Sequence, residues 1–103
     1  MKSSNQLITK QQFIAWANQL SDNQQFNYND ANNCPIAQAI KSVVNKDVIV
    51  GPFDVDVLRE AGVRSSAEVY NFTPWLRNIS WKLCEMRGDL TGVGIKKLAR
   101  ELA

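Results

Sequence analysis

Histidine is missing from this chain of 103 residues. Without an imidazole the protein can form neither a Ser–His–Asp triad nor a Cys–His pair, and it has no histidine ligand for zinc. Its two cysteines, Cys34 and Cys84, are too few for a four-cysteine zinc site. These absences remove the commonest routes to hydrolysis. The sequence therefore favours a protein that is not an enzyme and that holds no metal and no cofactor.

Long apolar runs are also missing. No stretch approaches the roughly 18 apolar residues that a membrane span needs. The first residues, MKSSNQLITKQQF, contain no continuous apolar segment and no small-residue cleavage site of the kind found in secretory signals. We therefore expect a cytoplasmic protein without a membrane contact, in which the two cysteines remain thiols.

The chain also lacks a large excess of either charge: it has 12 basic and 10 acidic side chains, and its net charge is +2. Residues 1–56 carry four basic against five acidic side chains, a balance of −1, whereas residues 57–103 carry eight against five, a balance of +3. A nucleic-acid-binding protein usually has a denser basic stripe, so this asymmetry leaves such binding possible without favouring it. The hydrophobic fraction of 45% is that of an ordinary globular chain, and we expect one domain over residues 1–103.

Four segments have clear helix signals. Thr9 with Gln12 matches a capping box and predicts a helix over Lys10–Leu20. Pro35 opens a second apolar stripe, which predicts a helix over Pro35–Val44. Two more helices are predicted near the end of the chain, one with Thr73 as N-cap, Pro74 in its first turn and Arg87–Gly88 as its close, and one that starts near Val93.

The middle of the chain is harder to assign. Asp47–Val50 is β-branched and predicts a short strand. Phe53–Leu58 alternates as a half-buried strand does, yet Asp54 as N-cap and Gly62 as a helix C′ residue favour a short helix, which we prefer. Residues 67–72 are predicted to form either a short strand or one helical turn. The predicted fold is mainly α, or an α-dominated α+β domain, with about five helices around one core and at most a two-stranded hairpin.

The stretch NYNDANNCPIAQAI, which starts at Asn27, resembles a calcium-binding loop only superficially. If Asp30 is its first ligand, Pro35 stands where the sharp turn needs glycine and Lys41 stands where glutamate belongs. Cys34 begins a helix, where a thiol pKa can fall, but no nearby base or cation completes a nucleophile. We expect a capped turn with Cys34 as a capping or packed thiol, and we expect Cys84 in the core.

An interaction surface is predicted on the last two helices. Trp75 and Trp81 are six residues apart, so they cannot both lie on the apolar stripe, and Trp81 is the better candidate for a partner contact. Trp81 could equally pack inside a helix buried on two sides, or meet a second copy in a homodimer. Basic side chains on the same helices could contact phosphate or an acidic protein, or form an ordinary solvated face: Lys82, Lys96, Lys97 and Arg100.

One pattern suggests a context. Trp16, then Tyr28-x-Asp30, then Cys34-x-x-Ala37-Gln38-x-Ile40 resembles a pattern in small proteins of bacteria, phages and mobile elements. The resemblance covers about a quarter of the chain and implies no particular activity. Short proteins of this kind are similar to inhibitors that bind a host protein complex, anti-CRISPR proteins among them. On that resemblance Tyr28 and Asp30 are candidate partner contacts or loop-fixing residues.

The leading hypothesis is thus a small binding protein that sterically blocks a host defence or enzyme complex. The alternative is a nucleic-acid-binding accessory protein or small transcriptional regulator. A thiol- or metal-dependent enzyme is the third hypothesis, and it has the least support because the residues that would complete either site are missing.

Overall fold

The computed structural model describes residues 2–27, 34–51, 53–58, 67–86 and 90–102. This part of the chain contains four α-helices and four β-strands, and is a helix-rich α+β structure. In chain order the elements are β1 (Lys2–Ser3), α1 (Lys10–Asn18), α2 (Pro35–Val44), β2 (Val48–Val50), β3 (Asp54–Val57), β4 (Glu68–Asn71), α3 (Pro74–Glu85) and α4 (Gly92–Leu102). Among these residues, no helix is both long enough and apolar enough to span a membrane.

Helix α1 begins as its sequence predicts. The Gln12 backbone N–H donates to Thr9 Oγ1 at 3.2 Å, and the Thr9 N–H donates to Gln12 Oε1 at 2.9 Å. This reciprocal capping box satisfies two N–H groups that have no partner inside the helix. The helix ends at Asn18, two residues earlier than predicted, and it buries Phe13 and Ala17 completely.

Helix α2 has the predicted bounds. Cys34 is its N-cap, and the Cys34 sulfur accepts a hydrogen bond from the Ala37 N–H at 3.5 Å. The helix ends at Val44, and its C-cap is Asn45, which has a φ of 57°. Asparagine tolerates this left-handed conformation better than most residues do, and it is a known helix terminator. The prediction that Cys34 is a capping, packed thiol is confirmed.

The start of helix α3 depends on a residue far away in the sequence. Thr73 is the N-cap and Pro74 lies in the first turn, as predicted, but the Thr73 side chain makes no capping hydrogen bond of its own. Instead, the Thr73 N–H donates to Ser4 Oγ at 3.0 Å, and the Ser4 hydroxyl donates to Thr73 Oγ1 at 3.4 Å. Ser4 is fully buried, so this contact fixes α3 against the N-terminal segment. The predicted close of α3 at residues 87–88 lies outside the described residues.

The four strands form one sheet in the order β1-β4-β3-β2. Strand β3 pairs in antiparallel fashion with both β2 and β4, and the two-residue β1 pairs with β4 in parallel. In the register, Val55 lies opposite Val50 on one side and Tyr70 on the other. Segment 67–72 is therefore a strand rather than a helical turn.

The preferred assignment of Phe53–Leu58 to a helix is wrong, because Asp54–Val57 is a central strand. Its side chains alternate in burial, with Val55 and Val57 inside the core and Asp54 and Asp56 only half-buried. Its backbone hydrogen bonds are made with β2 and with β4, which lies further along the chain. Local helix propensity does not include the stabilisation that such a partner strand provides. Gly62, the expected helix end, lies outside the described residues. Within the described ranges, the predicted five helices and single hairpin become four helices and a sheet with three antiparallel strands.

Helices and sheet bury their apolar sides in one shared core. Helix α1 packs against α2 and α4, and α2 packs against β2. The fully buried side chains come from all four helices and from strands β2 and β3, and include Phe13, Ile40, Val55, Leu76, Ile79 and Ile95. Because α3 uses only one of its sides for this core, its other side is left at the surface.

Candidate interaction surface

Helix α3 has two faces of different character. Leu76, Ile79 and Leu83 are buried at three- and four-residue intervals, which places one side of the helix on the core. Trp81 lies away from that side, and 65% of its surface is exposed. An exposed tryptophan is uncommon, because burying its ring against protein would remove a large apolar area from water.

The second tryptophan of α3 has a different role, as the spacing predicted. Trp75 is half-buried, and its ring lies 6.0 Å from that of Phe13, measured between centroids. Its indole Nε1 donates a hydrogen bond to Asn5 Oδ1 at 3.1 Å. Trp75 thus has both an apolar ring contact and a polar partner, and Trp81 has neither among the described residues.

A groove of about 570 Å³ runs along the exposed side of α3. Phe53 forms its other wall and is itself 65% exposed, although its backbone oxygen is fixed by a 3.0 Å hydrogen bond from the Phe72 N–H. The residues that line this groove are Phe53, Pro74, Arg77, Asn78, Ser80, Trp81 and Cys84. We call it the α3 groove.

Cys84 corrects one expectation. The sequence places it on the apolar side of its helix, but the residue is half-buried and lines the α3 groove. It follows the exposed face because it is three residues after Trp81, a spacing that returns to nearly the same side of a helix.

Two aromatic side chains that border one groove are more informative than either alone. Single exposed apolar residues are normal on protein surfaces. A contiguous apolar patch with polar residues at its edge is typical of a binding site for a protein or another ligand. Phe53 and Trp81 line one groove, and the polar side chains of Arg77, Asn78 and Ser80 line it with them.

The predicted basic residues are partly neutralised by the fold. Lys82 donates to Glu101 Oε2 at 3.1 Å, and Lys96 forms an ion pair with Asp22. Lys96 lowers the pKa of the Asp22 carboxyl through its hydrogen bond and its charge, and the charge of Arg100 contributes further. Lys97 and Arg100 are exposed on α4. The positive field of α4 is therefore weaker than the count of its basic residues suggests.

Two other predicted contact residues, Tyr28 and Asp30, lie outside the described residues. Among the residues that are described, no three histidine, cysteine or acidic side chains are placed where they could hold a metal ion. The structure thus brings together Trp81 and Phe53, whereas Lys96, Lys97 and Arg100 lie on a different helix.

Sequence reasoning singled out Trp81 but missed Phe53. Even the correct strand assignment would have placed Phe53 on the buried side, two residues before Val55. Phe53 is exposed because it precedes the strand, beyond the last paired residue Asp54. No local pattern indicates this position.

Searches against family models, curated proteins and solved structures gave no match to this chain.

Proposed function

We propose that this protein is a non-enzymatic binding protein that recognises another protein through the α3 groove. The observation that carries the proposal is the pairing of Phe53 and Trp81, each 65% exposed, on the two walls of one groove. Aromatic side chains dominate the binding energy of many protein interfaces, and tryptophan is the most enriched among them. Regular secondary structure positions both residues, since Phe53 adjoins β3 and Trp81 lies within α3.

The partner is a host complex that the protein blocks sterically, as a phage or mobile-element inhibitor of the anti-CRISPR kind does. This part of the proposal is supported by the resemblance carried by Trp16, Tyr28, Asp30 and Cys34, and not by the groove. A binding protein of this size covers its target and needs no chemistry of its own, in agreement with the missing histidine.

The nucleic-acid alternative has weaker support. A phosphate-binding face needs several uncompensated cations, because each contact releases counterions and adds to the affinity. Two of the candidate cations, Lys82 and Lys96, are already paired with acidic side chains. Lys97 and Arg100 remain as exposed charges on α4.

Affinity capture tests the proposal. The tagged protein is incubated with bacterial lysate at low and high salt, with nuclease, and the captured proteins are identified by mass spectrometry. We expect a stoichiometric protein partner that survives both treatments, is lost with Trp81→Ala and with Phe53→Ala, and is kept with Val93→Ala. Val93 is the matched control because it is an apolar side chain, 51% exposed, outside the groove.

Two outcomes would contradict this proposal. A partner that both aromatic variants retain would place the interface elsewhere. Capture of nucleic acid that is lost at high salt would favour the alternative, and a Lys97→Glu/Arg100→Glu variant should then abolish it. For the inhibitor part, the identified complex should lose activity on addition of one equivalent of the wild-type protein and keep it with Trp81→Ala.

A further inference from the structure

The exposed side of α3 contains a row of three residues with complementary ends. Arg77, Trp81 and Glu85 follow one another at intervals of four, so they form one continuous ridge on the helix surface. The neighbouring row carries Ser80 and Cys84, whose small side chains line the α3 groove. A ridge of large side chains therefore lies directly beside a depression that has room for another ridge.

The two charged ends of this ridge have no partner within the described part of the chain. Arg77 and Glu85 are both exposed, and neither side chain forms a hydrogen bond or an ion pair with a described residue. This differs from Lys82 on the same helix, which is paired with Glu101. The ridge thus presents a positive end, an apolar centre and a negative end.

Such a ridge is complementary to itself when turned end to end. In the commonest class of helix packing, the i±4 ridges of two helices lie along each other at a crossing angle of about 50°. If two copies of α3 pack in this way and run antiparallel about Trp81, Arg77 of each copy lies at the level of Glu85 of the other. Twofold symmetry makes the contact twice.

We propose that two copies of this chain pair through antiparallel α3 helices, centred on Trp81. In the pair, the ridge of each copy lies in the α3 groove of the other, and Phe53 closes the side of the contact. The pairing removes Trp81 and Phe53 from water, which supplies the apolar free energy, while the two Arg77–Glu85 contacts select the antiparallel direction. A protein that binds the same groove must displace the second copy. That last consequence rests on the proposed function, whereas the pairing does not.

Sedimentation equilibrium of the purified full chain tests the pairing. Over a range from about 1 μM to about 1 mM, which covers moderate to weak association, we expect a reversible monomer–dimer equilibrium. Trp81→Glu should leave only monomer. Arg77→Glu and Glu85→Arg should each raise the dissociation constant by roughly tenfold, because each places two like-charge contacts in the dimer. The double variant Arg77→Glu/Glu85→Arg should return it to within about threefold of wild type, since the opposite charges meet again.

Lys97→Glu is the control, because it makes the same charge change as Arg77→Glu at an exposed site outside the groove. It should leave the equilibrium unchanged. All the substituted side chains are exposed, so the variants should fold, and circular dichroism checks that they do.

The proposal is overturned if the wild type stays monomeric over the whole range, if Trp81→Glu still dimerises, or if the double exchange does not restore association. Its failure is distinguishable from that of the proposed function. A monomeric protein whose partner capture still requires Trp81 keeps the function and loses the pairing. A protein that dimerises but captures no partner through the groove keeps the pairing and loses the proposed function.

Discussion

Gly92 is a residue whose identity is set by one close backbone contact. It begins α4, and its backbone N–H donates a hydrogen bond to the backbone carbonyl oxygen of Gln24 at 2.8 Å. A Cβ at this position would lie 1.9 Å from the Ser21 backbone oxygen, far inside contact distance. Only glycine therefore lets α4 approach the segment that follows α1 so closely.

We expect Gly92→Ala to lower the free energy of unfolding by roughly 1–3 kcal/mol, because a backbone segment must move to admit the methyl group. Urea denaturation measures the change. The adjacent Val93→Ala is the control, since Val93 is exposed and its truncation should cost less than about 0.5 kcal/mol. Equal stability of Gly92→Ala and wild type would show that α4 lies further from Ser21.

Asp22 is a second residue whose single contact affects stability, because its carboxylate forms an ion pair with Lys96. Lys96 holds the pKa of the Asp22 carboxyl below its usual value of 3.8. The carboxylate therefore stabilises the folded state above that pH, and this contribution is lost as the pH falls through the lowered pKa. We expect Asp22→Asn to be less stable than wild type at neutral pH, with a difference that shrinks in acid and in high salt.

Urea titrations of wild type and Asp22→Asn at neutral and acidic pH measure this dependence. Lys96→Gln should produce the same loss, and the double variant should be no worse than either single one, because both remove one interaction. A difference between wild type and Asp22→Asn that grows as the pH falls would contradict the assigned direction.

Strand β3 is the element whose type depends most on its neighbours. Its four residues and the preceding Phe53 alternate between apolar and acidic, and the following Leu58-Arg59-Glu60-Ala61 run favours helix locally. Pairing with β2 and β4 decides in favour of strand, because it satisfies the backbone on both sides and places Val55 and Val57 in the core. The gain comes from contacts up to 17 residues away, such as Asp54 opposite Asn71.

We expect Val55→Ala to lower the unfolding free energy by roughly 2–3 kcal/mol, since Val55 is fully buried and its truncation leaves a cavity. Val69→Ala is the matched control, because Val69 lies in the adjacent strand β4 and is 37% exposed. It should cost less than about 1 kcal/mol. Equal costs at the two positions, measured by urea denaturation, would mean that β3 does not face the core.

On the scale of the whole molecule, the core contacts and the proposed binding surface lie on different sides of α3. The core side carries Leu76, Ile79 and Leu83, and the groove side carries Trp81. The double variant Phe53→Ala/Trp81→Ala should therefore keep an unfolding free energy within about 1 kcal/mol of wild type while it loses binding to the proposed partner.

Leu83→Ala should instead destabilise the fold. We expect it to lower the free energy of unfolding by roughly 2–5 kcal/mol, because it leaves a cavity on the core side of α3. Thermal or urea unfolding beside the capture measurement compares the two. A Phe53→Ala/Trp81→Ala variant that unfolds as readily as Leu83→Ala would mean that the groove residues hold the fold together.

The candidate site could be predicted only in part. Trp81 is recognisable because a helix with an apolar stripe on one side leaves a second tryptophan on another. Phe53 is not recognisable, since its exposure depends on where the sheet ends. The pairing of Lys82 with Glu101 and of Lys96 with Asp22 joins side chains from different elements, so no local pattern predicts which cations remain free to bind.

Local chemistry by itself determined the helix starts at Thr9 and Cys34, the C-cap of α2 at Asn45, and the main apolar stripe of each helix, because capping and 3.6-residue periodicity act within a few residues. Only the tertiary structure decided that β3 is a strand, that Ser4 supports the start of α3, and that Phe53 faces Trp81 across a groove. Each of these depends on a partner distant in sequence, whose contribution exists only once the chain has brought the two together.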